Sequence, residues 1–284
     1  MKGENKMLTH IKTICENFSN EFGIVPIKKD VQINELPGLR NVLKLKTDNR
    51  DKLICIASQP GAGKTSLALD IVLDAAINSD KEILIFTLEL GTKQLLVRLI
   101  EKISSVGGDF WKCDIEERNE ADQNKISIAI AFLQELNILI DDSWLVPPAY
   151  IEKCLQEHKN AGLVMLDYIG LVQADEKKNL RQQEVYEIEA ELLAQAKKYC
   201  VPMLVVAQVH RRLKEPRFSF EDILSSDYVM HKSAMILFIK RKGYFDIEPV
   251  DNNAEIIVVK NNSEKYDIIK MQFDENSVSF KECI

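Results

Sequence analysis

Apolar and polar positions along this chain follow two periods. From residue 53 onward, short continuous apolar runs of strand length are separated by longer stretches with helical spacing. The runs at 53–57, 83–88, 136–140, 163–167, 203–207, 234–239, 254–260 and 266–273 are expected as strands. Helices are expected over 64–77, 91–105, 122–134, 148–158 and 181–199. A run such as Leu163-Val164-Met165-Leu166 is apolar at every position, as a strand buried on both faces must be. That predicts an α/β fold with a mostly parallel sheet flanked by helices. The last strands follow one another without helices, which predicts an antiparallel extension at one edge. Ahead of this block, Leu8, Ile11, Ile14 and Phe18 have helical spacing, so residues 7–19 are expected as a short amphipathic helix. It is too small to bury its stripe alone and needs its own domain or a neighbouring chain. Glu21 to Arg50, with Pro26 and Pro37, reads as a connection with little regular structure. Residues 107–121 and Asp175 to Gln183 read as loops. The expected division is a helix and linker over 1–40 and one α/β domain over 41–284.

The strand at 53–57 runs into Ser58-Gln59-Pro60-Gly61-Ala62-Gly63-Lys64-Thr65-Ser66, which opens the helix at 64–77. Strand, small-residue turn, Gly-Lys-Thr and helix together are what a phosphate-binding loop needs. Gly61 and Gly63 allow the backbone close to an anion, and the N–H groups of the next turn point at it. Lys64 is expected to reach the β- and γ-phosphates of ATP, and the Thr65 hydroxyl to hold Mg²⁺. Ser58 stands where the motif usually has its first Gly. A small residue there still permits the turn.

Two acids and an amide end other apolar runs. Asp167 closes the run 163–166, where a parallel strand delivers a carboxylate to the ligand edge of a sheet, and it is assigned to Mg²⁺ directly or through water. Its neighbour is Tyr168, so the base comes from elsewhere. Glu89 ends the run 83–88 and is the candidate general base, on the premise that its strand neighbours the phosphate loop. Gln208 ends the run 203–207, where a neutral amide can hydrogen-bond the γ-phosphate or the attacking water.

Composition adds limits. The chain has 284 residues, 46% hydrophobic and 29% charged, which fits one large soluble domain with an appendage. No apolar run approaches the ~20 residues that span a bilayer, and the N-terminus leads into no signal-peptide core. Six widely spaced cysteines without a C-x-x-C pair read as reduced thiols of a cytoplasmic protein, Cys55 and Cys200 mostly buried, with no zinc site. The net charge of −7 argues mildly against avid DNA binding by a single subunit. Between Lys197 and Arg217, however, six basic residues face one acid.

Taken together, Gly61-Ala62-Gly63-Lys64-Thr65, Phe86-Thr87-Leu88-Glu89-Leu90, Leu166-Asp167-Tyr168 and Ala207-Gln208-Val209-His210-Arg211 resemble the ATPase domain of DnaB-type replicative helicases. The resemblance covers roughly residues 35 to 280 and implies a RecA-like P-loop NTPase. Ala is common in that family where Ser58 stands. Ala254 to Lys260 resembles the family's penultimate strand, whose Lys reaches a neighbour's ATP, which makes Lys260 a catalytic candidate in trans. The resemblance further implies a homo-hexamer moving along single-stranded DNA, contacts with other replication proteins, and an N-terminal helix docked on the adjacent subunit. Arg211, Arg212, Lys214 and Arg217 would supply DNA-facing charge.

Some positions depart from the family pattern. Asn262 stands where the family has its arginine finger, and a finger is worth about 10³–10⁵ in turnover where measured. Lys260, Lys265 and Arg241 are the cations available to replace it. In Asp222-Ile223-Leu224-Ser225-Ser226-Asp227, Leu224 replaces an Arg and Asp227 a Gly of a DNA-contacting segment. The helical domain that precedes the ATPase domain in full-length members is not in this chain. These departures imply weakened hydrolysis and DNA binding. They leave two alternatives beside an ATPase or helicase: a nucleotide-binding regulatory protein that modulates a helicase, and a filament-forming recombinase paralogue.

Overall fold

The computed structural model describes residues 8–31, 33, 35–45, 51–113, 118–144, 146–174, 181–208, 232–241, 252–260 and 266–283. The described strands are β1 (Thr9–His10), β2 (Leu53–Ser58), β3 (Glu82–Thr87), β4 (Ile138–Asp141), β5 (Ala161–Asp167), β6 (Met203–Gln208), β7 (Met235–Arg241), β8 (Asn253–Lys260), β9 (Tyr266–Asp274) and β10 (Ser279–Glu282). They form one sheet in the order β1-β4-β3-β5-β6-β2-β7-β8-β9-β10. The six from β4 to β7 in that order are parallel. Antiparallel pairing carries the sheet on through β8, β9 and β10, as the unbroken succession of late strands predicts.

Alternate residues of the parallel strands enter two separate cores. Ile54, Ile56, Ile83, Ile85, Leu163, Met165, Leu204 and Val206 face one layer of helices. That layer comprises α1 (Ile11–Phe22), α2 (Pro37–Leu43), α3 (Lys64–Ile77), α4 (Thr92–Ser104), α5 (Asp109–Lys112) and α6 (Glu120–Leu133). Leu53, Cys55, Leu84, Phe86, Val164, Leu166, Met203 and Val205 face the other, formed by α7 (Pro148–Glu157) and α8 (Arg181–Tyr199). A strand buried on both sides has no polar face, which is why these runs are apolar throughout.

Four elements depart from the expectations. β1 adds two antiparallel residues to the β4 edge, too few to leave a pattern in the sequence. β10 pairs with β9. α5 interrupts the stretch expected as a loop at 107–121, and α6 begins within it. α2 lies in the stretch expected to lack regular structure, and it crosses the boundary set at residue 40. Pro37 begins this helix instead of breaking it, because a first-turn proline gives up an N–H that has no helical partner. The next two N–H groups, of Gly38 and Leu39, donate to the Glu282 carboxylate of β10 at 2.8 and 2.7 Å. A cap supplied from the far end of the chain cannot be read locally. The amphipathic helix α1 packs Ile11, Ile14, Cys15 and Phe18 onto its own domain, against α4 and α6. Cys15, Cys55 and Cys154 are buried, and burial pushes the Cys15 thiol up to about 12. Cys200 is exposed, contrary to expectation, because the chain turns at positive φ as it leaves α8. Among the described residues no helix is long and apolar enough to cross a membrane.

Two buried charges tie the layers together. Lys102 of α4, its side chain 2% exposed, donates to Asp70 of α3 at 2.8 Å and to the Val278 carbonyl at 2.6 Å. The second Asp70 oxygen accepts from the Phe280 N–H at 2.9 Å, so one ion pair joins α3, α4 and β10. On the other face, Glu189 of α8, 2% exposed, accepts from the Lys232 and Ser233 N–H groups where the chain enters β7.

Removing one member of a buried pair strands the other charge, so Lys102→Ala should cost about 3–5 kcal/mol in urea denaturation. Lys102→Met with Asp70→Asn should recover much of that loss. Burial pushes the Glu189 carboxyl up to about 7, above its unfolded value of about 4.3. The folded state then holds the extra proton between those values. Stability is greatest on the acid side of the window and falls as pH rises to about 7. Glu189→Gln removes that dependence: its stability relative to the parent should rise between pH 5 and pH 8 by up to about 3 kcal/mol.

Candidate functional site

The turn after β2 is built for close backbone approach to a ligand. Gly61 and Gly63 have φ of 79° and 100°, values that favour glycine, and α3 begins at Lys64 immediately after. A Cβ on Gly63 would lie 3.0 Å from the Phe280 ring, so β9 and β10 close the floor beneath the loop. Ser58 is buried, and its hydroxyl donates to the Ile239 carbonyl of β7 at 2.8 Å. It shapes the turn and, like the buried Ala62, does not line the cavity above it.

That cavity, about 650 Å³, is lined by Gly61, Gly63, Lys64, Thr65 and Ser66 together with Asp167, Glu89 and Gln208. The ends of three parallel strands and the turn beyond a fourth therefore meet there. The Thr65 hydroxyl donates to Asp167 Oδ2 at 2.7 Å. Asp167 is 1% exposed. Burial raises its carboxyl above the usual range, while the Thr65 hydrogen bond and the charges of Arg98 and Lys64 oppose that shift. Burial likewise lowers the Lys64 ammonium, opposed by Asp167 and Glu89. Lys64 Nζ donates to the Gln59 carbonyl at 2.8 Å. Both groups are costly to bury charged and gain from a ligand of opposite sign.

Glu89 reaches the cavity by a route other than the expected one. β3 is not next to β2, since β5 and β6 lie between them. The carboxylate arrives on the turn beyond β3, which is held by the Thr87 hydroxyl donating to the Leu90 carbonyl at 2.8 Å and by the Leu88 N–H donating to the Asp167 carbonyl at 2.8 Å. The next helix is fixed by the Thr92 N–H donating to Asp142 at 3.0 Å.

Two cations in the cavity wall carry no motif signal. Arg98 lies on α4, where helical spacing alone gave it no role. Arg241 ends β7 with its guanidinium 4.0 Å from the Phe273 ring centroid, a stacked planar pair beside Gly63. Arg241 thus belongs to its own subunit's cavity, whereas the sequence suggested it as a stand-in for a finger directed at a neighbour. Lys260 lies elsewhere. The backbone register pairs it with Met235, which in turn pairs with Ile54. Four residues separate Ile54 from Ser58, about 13 Å at strand rise, so Lys260 is at the opposite end of the sheet from its own phosphate loop. Arg211, Arg212, Lys214, Arg217, Leu224, Asp227, Asn262 and Lys265 lie outside the described residues.

The donors fit a magnesium-bound nucleoside triphosphate. Among the described residues no cluster of three or more His, Cys, Asp or Glu could hold a metal. Magnesium in phosphate sites needs only one or two protein oxygens, with the phosphates and water supplying the rest. The Thr65 hydroxyl and the buried Asp167 carboxylate, already 2.7 Å apart, meet that requirement.

Fold and site together define a P-loop nucleotide-binding domain of RecA-like architecture. Comparison with known proteins sharpens this: the chain belongs to the DnaB-like helicase C terminal domain family, whose profile matches residues 44–282. It is 30% identical over 232 residues to the replicative DNA helicase DnaC of Bacillus subtilis, a match covering 79% of this chain and 51% of that protein. Replicative DNA helicase DnaB of Haemophilus influenzae is 28% identical over 231 residues, covering 78% and 49%. The chain thus spans about half the length of the curated relatives it matches. Among solved structures, a free-standing ATPase domain superposes with a TM-score of 0.78 at 23% identity, covering 96% of both chains. A DnaB-like replicative helicase described with its primase interactions also gives 0.78 at 23% identity, covering 96% of this chain and 65% of that one.

Gly63→Ala tests the loop geometry. Strain at positive φ and the Phe280 contact should lower stability by about 1–3 kcal/mol and remove the rise in melting temperature that ATP and Mg²⁺ give. Adding Phe280→Leu relieves the contact and leaves φ unchanged. The double variant should therefore regain stability without regaining the nucleotide-induced rise.

Proposed function

We propose that this chain is the ATP-hydrolysing motor domain of a DnaB-like helicase, acting in DNA replication as a homo-oligomer around single-stranded DNA. The observation that carries the reading is the convergence of Lys64, Thr65, Asp167, Glu89 and Gln208 on one cavity, in a chain whose relatives are replicative DNA helicases. Lys64 and the loop N–H groups bind and neutralise the β- and γ-phosphates. The Thr65 hydroxyl and Asp167 would hold Mg²⁺, which when bound neutralises phosphate charge. Glu89 orients a water in line with the γ-phosphate and accepts its proton. Gln208, the last residue of β6, hydrogen-bonds the γ-phosphate or that water and carries the difference between ATP and ADP into the segment that follows, which includes Arg211, Arg212, Lys214 and Arg217. The position of Lys260 across the sheet from its own loop suits action on a neighbour's nucleotide. A hexamer brings the two together, and its location is the cytoplasm with other replication proteins.

A second reading rests on Asn262. A neutral amide at the finger position supplies no charge to the transferring phosphoryl group. A chain of this kind could bind nucleotide and regulate a helicase without unwinding DNA itself.

ATP turnover measured with and without single-stranded DNA, with the oligomeric state recorded in the same buffer, separates the two. The motor reading expects stimulation by DNA, loss of turnover by at least about 10²-fold in Glu89→Gln with ATP binding retained, and faster turnover in Asn262→Arg. Micromolar ATP binding with negligible turnover in a confirmed hexamer, unchanged by DNA or by Asn262→Arg, would overturn it in favour of the regulatory reading.

A further inference from the structure

The largest described cavity, about 730 Å³, is not at the nucleotide site. It opens at the other end of the sheet, where β3, β5 and β6 begin, and α2 forms one wall with the C-terminal turns of α3. Its floor is apolar: Leu39, Leu43, Ile71, Ala75 and Pro202. A second cavity of about 320 Å³ shares Lys159 and Tyr199 with the first, so the two form one elongated trough between α2 and the end of α7.

The charge around this trough has one sign. Among the described lining residues Asp74 is the one acid, and the Arg40 guanidinium holds both its oxygens. Lys44, Lys81 and Lys159 remain at the rim, all three exposed. Lys81 lays its stem over Gly162, and neither it nor Lys159 has an ion pair with a described residue. These lysines come from separate connections, those after α2, before β3 and before β5. They do not converge on one point, as donors for a single small anion would. An apolar trough with cations distributed along its rim is complementary to a helix with an apolar stripe flanked by carboxylates.

We propose that this trough is a docking site for an acidic amphipathic helix of a partner protein. The helix inserts side chains at i, i+3, i+4 and i+7 between α2 and α3, and its Asp and Glu residues pair with Lys81 and Lys159. The site is separate from the nucleotide cavity, so it stands whether or not the chain hydrolyses ATP. It also touches the far end of the helix that begins at Lys64.

The probe is a fluorescein-labelled 18-residue peptide with leucines at that spacing and glutamates elsewhere, titrated with the full chain and followed by anisotropy. The expected result is micromolar binding that weakens with salt. Lys81→Glu with Lys159→Glu should weaken it at least tenfold, and Ala75→Trp, which fills the floor, should do the same. Neither change touches the nucleotide site, so ATP binding reports that each variant is folded. Hydrogen exchange should show protection at 39–45 and 78–83. Four outcomes would overturn the proposal: no binding at low salt, binding that neither variant weakens, equal binding of a scrambled peptide of the same composition, or protection elsewhere. Two more would do so by naming another occupant. Laurate binding competitively with full effect in Lys81→Glu would mark a small-amphiphile pocket. Self-association lost in Ala75→Trp, with the peptide silent, would mark a contact between copies.

Discussion

The hydrogen bond from the Thr65 hydroxyl to Asp167, 2.7 Å long, joins two residues that are 102 positions apart and lie on strands that do not touch. It exists because β5, β6 and β2 are consecutive in a parallel sheet and their last residues reach the same edge. A parallel sheet forces this alignment. Each crossover returns the chain to the same starting edge, so every strand ends on the ligand side. The metal-binding pair, Gln208 and the phosphate loop are therefore brought together by strand order, before any particular side chain is considered. The turn carrying Glu89 and the wall residues Arg98 and Arg241 are added around that fixed edge.

The loop cannot hold its conformation unaided, because two of its residues have positive φ and a lysine close behind is deprived of water. The support comes from the end of the chain. Phe273 and Phe280, 4.9 Å between ring centroids, fill the space beneath Gly63. The Phe280 N–H donates to Asp70 in α3, and Glu282 caps α2, whose Arg40 holds Asp74 in the same helix α3. The helix that starts at Lys64 is thus gripped at several turns by the last strand and by the segment preceding the sheet. This is why β8, β9 and β10 are part of the nucleotide site and not an ornament on its edge.

Local patterns carry the parts of this structure that local physics decides. The apolar runs gave the parallel strands within about two residues, because burial on both faces leaves no other composition possible, and Gly61 and Gly63 announced a turn with unusual φ. Long-range partners were not legible. Pro37 reads as a breaker until Glu282 is known to receive the next two N–H groups. Glu89 was reasoned from a strand adjacency that the sheet does not have. It reaches the cavity because the turn after β3 bends toward Asp167, a fact held in two hydrogen bonds and not in spacing. Arg241 looked like one basic strand end among several, since its stacking on Phe273 depends on β7, β8 and β9 being in register. Cys200 follows an apolar helix face and precedes a strand, yet the turn at positive φ leaves it outside.

The register of β8 carries the last step. Antiparallel pairing with β7 runs it backward, so Ala254 lies opposite Arg241 near the nucleotide and Lys260 lies opposite Met235 at the far end. One strand therefore has one end at its own cavity and the other end displaced from it by nearly the full height of the sheet. A residue so placed is too far from its own subunit's nucleotide to assist it. If Lys260 acts in hydrolysis at all, it acts on a site belonging to another copy. The cations that could serve in cis, Lys64, Arg98 and Arg241, are all in the cavity wall already. The geometry thus divides the basic residues into a set that binds nucleotide within one subunit and a set useful only between subunits. A substitution such as Asn262, two residues beyond Lys260 in the chain, would then bear on turnover in an assembly without altering the pocket that first receives the nucleotide.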